Sequence, residues 1–226
     1  MTRTTLNRQM VHIQDELLIL GSMVEQAMIS AVDSLKTRDT AAAKQLFQQD
    51  QIINEKRFAI ENAILTLMAT QQPMARDLRT LAAMLEVNTE LERMGDYAKG
   101  VAKVTMLLGD AEANMPTFEI TKMAEMAVSM LHRALTAFID ENTSLALSIP
   151  KEDDQIDELF NTAYKKIVNE MINHPETIDQ VNLMLWVIHN IERMADRVTN
   201  ICERTVFIAT GELFDMDGMD EEDANI

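Results

Sequence analysis

An all-α protein built from two tandem, pseudo-symmetric three-helix bundles is what the sequence predicts, and three observations carry that expectation. Residues 84–96, MLEVNTELERMGD, and residues 184–196, MLWVIHNIERMAD, share Met, Leu, Val, Glu, Arg, Met and Asp at a shift of 100. Upstream, DQIINE at 50–55 answers DDQIDE at 153–158 at a shift of 103, so one unit of about that length is present twice. Apolar residues recur at helical spacing throughout, and no segment alternates apolar and polar residues between turn dipeptides as a strand would.

The elements follow in order. A long opening helix is expected from about Leu6 to Lys36. Asp39 is suited to cap a short piece, TAAAKQLF, because its carboxylate can accept from the free amides of a first helical turn. A second helix is expected from about Asp50 to Ala69, with Ile53, Ile60, Ile64 and Leu67 on one stripe. Pro73, in QQPMARDLR, ends it, and a third helix runs from about Ala75 to Leu108. Gly109, Asn114 and Pro116 mark the junction between the copies. The second copy repeats the plan with helices at about 117–140, 152–173 and 176–210. There the stripe is Ile156, Phe160, Ala163, Ile167 and Met171, and Pro175 lies between the last two helices. Gly211 stands where a helix C-terminal glycine is expected. The organisation is thus residues 1–112 and 113–212 as two three-helix repeats and 213–226 as an acidic C-terminal tail. Long helices on short loops pack antiparallel in bundles, and a single extended six-helix array is the lesser alternative.

Composition agrees with helices. Eighteen Met accompany only seven Phe, two Tyr and one Trp, and Gly and Pro together number ten. Unbranched apolar side chains lose little rotamer freedom in a helix, whereas sheets favour branched and aromatic ones. The net charge is −17, and removing Asp215, Asp217, Asp220, Glu221, Glu222 and Asp223 of the tail still leaves −11. A body so acidic repels nucleic-acid backbones and anionic lipid and favours cationic partners, metal ions included. Cys202 is the single cysteine, so the chain contains no internal disulfide. MTRTTLNRQM lacks the apolar core of a signal peptide, and the apolar run Leu183–Ile188 is far short of the about 20 residues of a membrane span. These features read as a soluble, cytoplasmic protein, with peripheral attachment through a membrane-protein partner left open.

Two carboxylate pairs stand out. Glu92 and Asp96 are four apart, as are Glu192 and Asp196, so each pair shares one helix face with Cβ atoms roughly 5–6 Å apart. Like charges at that spacing destabilise an isolated helix, and a hard cation between them reverses the sign. The preceding helix of each copy adds a second pair at the same spacing, Asp50 with Asn54 and Asp153 with Asp157. Four oxygen donors could then converge in each repeat, a set suited to a metal ion or a small cluster. In a chain with 37 acidic residues such pairs are commonly solvated faces, and only their duplication at matched positions singles them out. Asn54 supplies no charge, so the second set is expected to hold metal more tightly.

Other residues carry less. Arg93 and Arg193, inside the motifs, could neutralise a carboxylate without metal. His189 lies three residues before Glu192, but Thr89 occupies the matching position of the first copy. His12, His132 and His174 stand alone, the methionines read as core filler, and Cys202 reads as a small buried side chain. With six glycines and no P-loop, glycine-rich fingerprint or nucleophile elbow, nothing cradles a nucleotide or phosphate.

The twin ERM-x-D helices, PMARDLR after the second helix and MVEQAMISAV in the first resemble the PhoU family, over about residues 6–210. The resemblance implies two pseudo-symmetric three-helix bundles and a non-enzymatic, regulatory role in bacterial phosphate uptake and phosphate-starvation signalling. It implies the ATPase subunit of the phosphate ABC transporter and a sensor histidine kinase as partners, and homodimers for some members. It also implies metal (Fe, Zn, Mg or Mn) on Asp50, Asn54, Glu92 and Asp96 and on Asp153, Asp157, Glu192 and Asp196, although Asn54 departs from the strict acidic pattern. The rival class is a carboxylate-bridged di-iron oxidase or ferritin-like storage protein. That class places Glu-x-x-His on core helices, whereas residues 189–192 run His-x-x-Glu, and only once.

Overall fold

The computed structural model describes residues 3–109, 116–213 and 216, so all of the acidic tail except Leu213 and Met216 lies outside the described residues. Among those described, seven α-helices and two short 3-10 turns account for the regular structure, with no strand. The first repeat holds α1 (Arg3–Thr37), α2 (Thr40–Gln71) and α3 (Arg76–Leu108). The second holds α4 (Thr117–Ile139), α5 (Thr143–Ser148), α6 (Asp153–Asn173) and α7 (Ile178–Thr210).

On α1 the residues Ile13, Leu17, Leu20, Val24, Met28, Ala31 and Leu35 are all buried, at steps of three and four that place them on one face. Within Thr4–Thr37 this helix is long and apolar enough to cross a membrane by length and composition, one 18-residue stretch having a mean hydropathy of 1.3, although no uninterrupted apolar run marks it in the sequence. In the fold its buried stripe packs against α2, α3 and α4, which is the use a bundle makes of such a helix.

The turn after α1 recurs after α4. Arg38 and Glu141 both take a left-handed φ, 54° and 50°. Each is followed by a capping side chain: Asp39 Oδ1 accepts from the Ala42 amide at 2.9 Å, and Asn142 Oδ1 from the Leu145 amide at 3.0 Å. Beyond the caps the repeats diverge. The sequence predicts a short piece after Asp39 and a new helix at Asp50, but α2 is one continuous helix of 32 residues. No Gly or Pro interrupts it, and Asp50 is a buried residue in mid-helix rather than the start of one. In the second repeat the counterpart of Phe47 is Pro150, which has no N–H to donate and whose ring clashes with the preceding turn. The helix therefore breaks there into α5, a 3-10 turn at Pro150–Glu152 and α6.

The remaining boundaries follow the breakers. Gln72, at φ 47°, closes α2 beside Pro73, and Gly211, at φ 84°, closes α7 by donating its amide to Phe207 O at 2.8 Å. α1, α2 and α3 pack on one another, as do α4, α6 and α7, giving two three-helix bundles. The most extensive pairing of all is α3 with α7, which joins the repeats, and the buried apolar side chains of both form one continuous core. Seven of the methionines expected as core filler (Met28, Met84, Met94, Met123, Met130, Met184 and Met194) are fully buried. Cys202 is fully buried too, and burial pushes its thiol up to about 12, so it is protonated and inert.

The α3–α7 seam has the character of a two-fold contact. Tyr97 and Arg197 occupy equivalent positions and touch each other, Arg197 Nε donating to Tyr97 Oη at 3.4 Å. Arg193 Nε donates to the same hydroxyl at 3.2 Å. Glu90 meets Asn200 at 3.2 Å, and the equivalent residues Asn190 and Gly100 also meet, a Cβ on Gly100 falling 2.9 Å from Asn190 Nδ2. Reciprocal contacts of this kind are the signature of an isologous interface, here made within one chain.

Candidate metal-binding faces of the two repeats

In the first repeat the predicted residues lie across the α2–α3 contact. Asp50 is only 5% exposed, and its Oδ2 accepts from Asn54 Nδ2 at 3.0 Å and from Lys99 Nζ at 2.6 Å. Lys99 Nζ also stands 3.7 Å from Asp96 Oδ1. The hydrogen bond it donates to Asp50 holds the Lys99 ammonium above its ordinary range. Glu92, one turn before Asp96, is raised by burial and by Asp96 and Asp50, with Arg57 and Arg93 opposing. Three carboxylates thus share this face with an amide and an ammonium.

The second repeat builds the same face from α6 and α7 without the ammonium, because Thr199 occupies the position matching Lys99. Asp153 opens α6, Asp157 lies a turn later, and Glu192 and Asp196 lie on α7. Glu192 is pushed up to about 7, first by burial, then by Asp196 and Asp157, with Arg193 opposing. Its Oε2 is buried and accepts no hydrogen bond, although His189 Nδ1 stands 3.4 Å away as an ion-pair neighbour. Asp157 is raised by burial and by Asp154. Both motif arginines serve other groups: Arg93 Nη1 lies 3.3 Å from Glu90 Oε1, and Arg193 engages Tyr97.

The predicted residues of each repeat therefore share a face, with Asp96, Asp157 and Asp196 on the exposed side. As placed, no three His, Cys, Asp or Glu side chains among the described residues stand close enough to hold one ion. Whether the residues fit a metal divides the two faces. In the second, a buried carboxylate oxygen without a hydrogen bond, beside two like charges, is what a hard cation would relieve, and rotation of exposed Asp157 and Asp196 would complete a set of oxygen donors. In the first, Lys99 already holds the cation position, so the set does not fit a metal as it stands. Lys99 is not among the residues that the sequence motifs pick out. Its one local signal is the i, i+3 spacing from Asp96, which puts both on one helix surface.

The exposed position of Asp96, Asp157 and Asp196 departs from a ferritin-like arrangement, where the ligands project into the bundle core. Fold and faces together define a duplicated all-helical bundle protein with one acidic face per repeat. Comparison with known proteins agrees with the fold. The PhoU domain family model matches residues 17–105 and again 120–205. The phosphate-specific transport system accessory protein PhoU homolog of Clostridium acetobutylicum is 32% identical over 217 residues, covering 96% of this chain and 99% of the relative. The crystal structure of the phosphate transport system regulatory protein PhoU from Streptococcus pneumoniae superposes with a TM-score of 0.86 at 32% identity, over 93% of this chain and 99% of that one. PhoU from Pseudomonas aeruginosa gives 0.86 at 29%, over 91% and 99%. This chain belongs to the PhoU family.

Proposed function

We propose that this protein regulates high-affinity phosphate uptake and phosphate-starvation signalling. It does so without catalysis, as a metal-binding adaptor between the ATPase subunit of a phosphate ABC transporter and a sensor histidine kinase. The supporting observation is the pair of acidic faces, one per repeat, on a fold shared over nearly its whole length with proteins named as accessory or regulatory components of phosphate transport. The protein works in the cytoplasm, reaches the inner membrane through its partners, and forms a homodimer in some states. The body, still at −11 without the six acidic residues of the tail, is a poor anion site, so phosphate status is read from the partners rather than from bound phosphate.

Metal belongs to this reading at the second face, on Asp153, Asp157, Glu192 and Asp196. A bound divalent or trivalent ion there would supply charge neutralisation and couple the ends of α6 and α7. The corresponding residues of the first face are Asp50, Asn54, Glu92 and Asp96.

Co-purification of the full chain with a phosphate-transporter ATPase subunit and a sensor kinase from the same organism tests the proposal, in EDTA and in added Mn2+. Binding to both partners is expected, and the Asp157→Ala/Asp196→Ala variant should alter it only in Mn2+. Failure to bind either partner in both buffers would remove the adaptor role.

A further inference from the structure

Lys99 is the residue that makes the two faces chemically different. Across the α2–α3 contact it donates at 2.6 Å to Asp50, which is 5% exposed, and on its own helix it stands 3.7 Å from Asp96. The same ammonium lies over the face of Phe47, with Nζ 5.4 Å from the ring centre. Asn54 turns its amide nitrogen to the same oxygen of Asp50, so both neighbours of that carboxylate act as donors. The second repeat keeps the carboxylates but has Asp157 in place of Asn54 and Thr199 in place of Lys99. With the carboxylates ionised, the first set carries −2 once Lys99 is counted and the second carries −4 over the corresponding five positions.

We infer that Lys99 is a built-in cation that permanently occupies the first face, so that the chain takes up metal at the second face alone. The inference rests on the proposed metal at the second face for its second half, while its first half concerns only this chain's residues. An ammonium and a divalent ion are competitors for the same oxygens: seated 2.6 Å from Asp50, Lys99 excludes an ion by volume and by charge. The device has a mechanical consequence. The α2–α3 contact is held by a tether that chelators and metal supply cannot touch, whereas the α6–α7 contact responds to both. One repeat is then a constant frame, and the other is the part whose state depends on metal.

Titration with Mn2+, read by electron paramagnetic resonance and by thermal melting of EDTA-stripped protein, tests this. The Asp157→Ala/Asp196→Ala variant should lose the Mn2+ binding of the wild type, because the first face is filled. Adding Lys99→Gln to that variant should create Mn2+ binding, and Asn54→Asp should tighten it roughly tenfold only when Lys99 is absent, since affinity follows ligand charge. Without metal, Lys99→Gln should melt below the wild type, and Mn2+ should recover the loss. Lys99→Arg, which keeps the cation, should match the wild type. Undiminished Mn2+ binding in Asp157→Ala/Asp196→Ala with Lys99 in place overturns the inference, whether or not the Lys99 variants fold. So does a Lys99→Gln protein that neither melts lower nor binds Mn2+. A wild type that binds no Mn2+, beside a Lys99→Gln protein that does, removes the metal reading of the second face and leaves the role of Lys99 standing.

Discussion

After the shared turn and cap, the first repeat runs as one helix from Thr40 to Gln71, while the second crosses the same stretch in three pieces. A single residue pair, Phe47 against Pro150, accounts for the difference. The same stretch leads into the acidic faces, so the repeat with the unbroken helix is also the one whose face is closed by Lys99. The comparison teaches that duplication preserved the positions of the carboxylates while freeing the backbone and the counter-charge around them to diverge. One copy is stiffened and neutralised, and the other is segmented and left with its charge.

The sharpest way to break the contrast is to give the first repeat the break of the second. Phe47 is 37% exposed and its ring lies under Lys99, so replacing it removes some packing, and proline in mid-helix adds a lost hydrogen bond and a clash with the preceding turn. Phe47→Pro should cost about 3 kcal/mol or more, the largest effect expected here, measured as the shift of a urea unfolding curve. A loss below about 1 kcal/mol would mean that the continuity of α2 contributes little and that segmentation is neutral.

The charge contrast has its own readout in pH. Glu192 titrates near 7 in the fold against an ordinary 4.5, so between those values the folded chain holds a proton that the unfolded chain has released. The resulting stabilisation is complete below about 4.5 and is lost as pH rises through about 7. Metal-free wild type should accordingly become less stable from pH 5 to pH 8. Glu192→Gln should flatten that slope and leave the protein more stable than wild type at pH 8. Thermal melts in EDTA across that range check it, and an unchanged slope in Glu192→Gln would show that other groups set the pH dependence. Glu92 is raised too, by burial and by Asp96, but Arg57 and Arg93 both oppose the rise, so Glu92→Gln should have the smaller effect.

How much of the molecule is legible in the sequence depends on how local each signal is. The repeat, the caps at Asp39 and the C-terminal Gly211, and the breaks at Pro73 and Pro175 are decided within a few residues, and each is visible there. The joining of TAAAKQLF to the helix behind it is not, because the burial of Asp50 in mid-helix depends on α3 packing on it and on Lys99 reaching its carboxylate. Lys99 itself reads as one more helix-surface charge. The Tyr97, Arg193, Arg197 and Glu90 seam depends on α3 meeting α7 across about a hundred residues of chain, a contact no local pattern encodes.

The smallest expected effect separates the repeats at the point where they look most alike. Asp39 and Asn142 sit at equivalent positions and cap in the same geometry, and removing either cap should cost about 1 kcal/mol by itself. The helices behind the two caps differ. Behind Asp39 lies a helix of 32 residues anchored by Ile53, Ile60, Ile64 and Leu67, so Asp39→Ala should fray the first turn and stop there. Behind Asn142 lies a helix of six residues with Ala146 as its only buried residue. A helix that short cannot recover the cost of nucleation by propagation, so its cap supplies a larger share of its stability. Asn142→Ala should therefore release the whole of α5, seen as lost amide-exchange protection from Ala146 through Ile149, whereas Asp39→Ala should lose protection only near Ala43. Equal, local fraying in both variants would mean that α5 is held by its packing on α4 and α7 rather than by its cap, and that the segmented repeat is as firmly built as the continuous one.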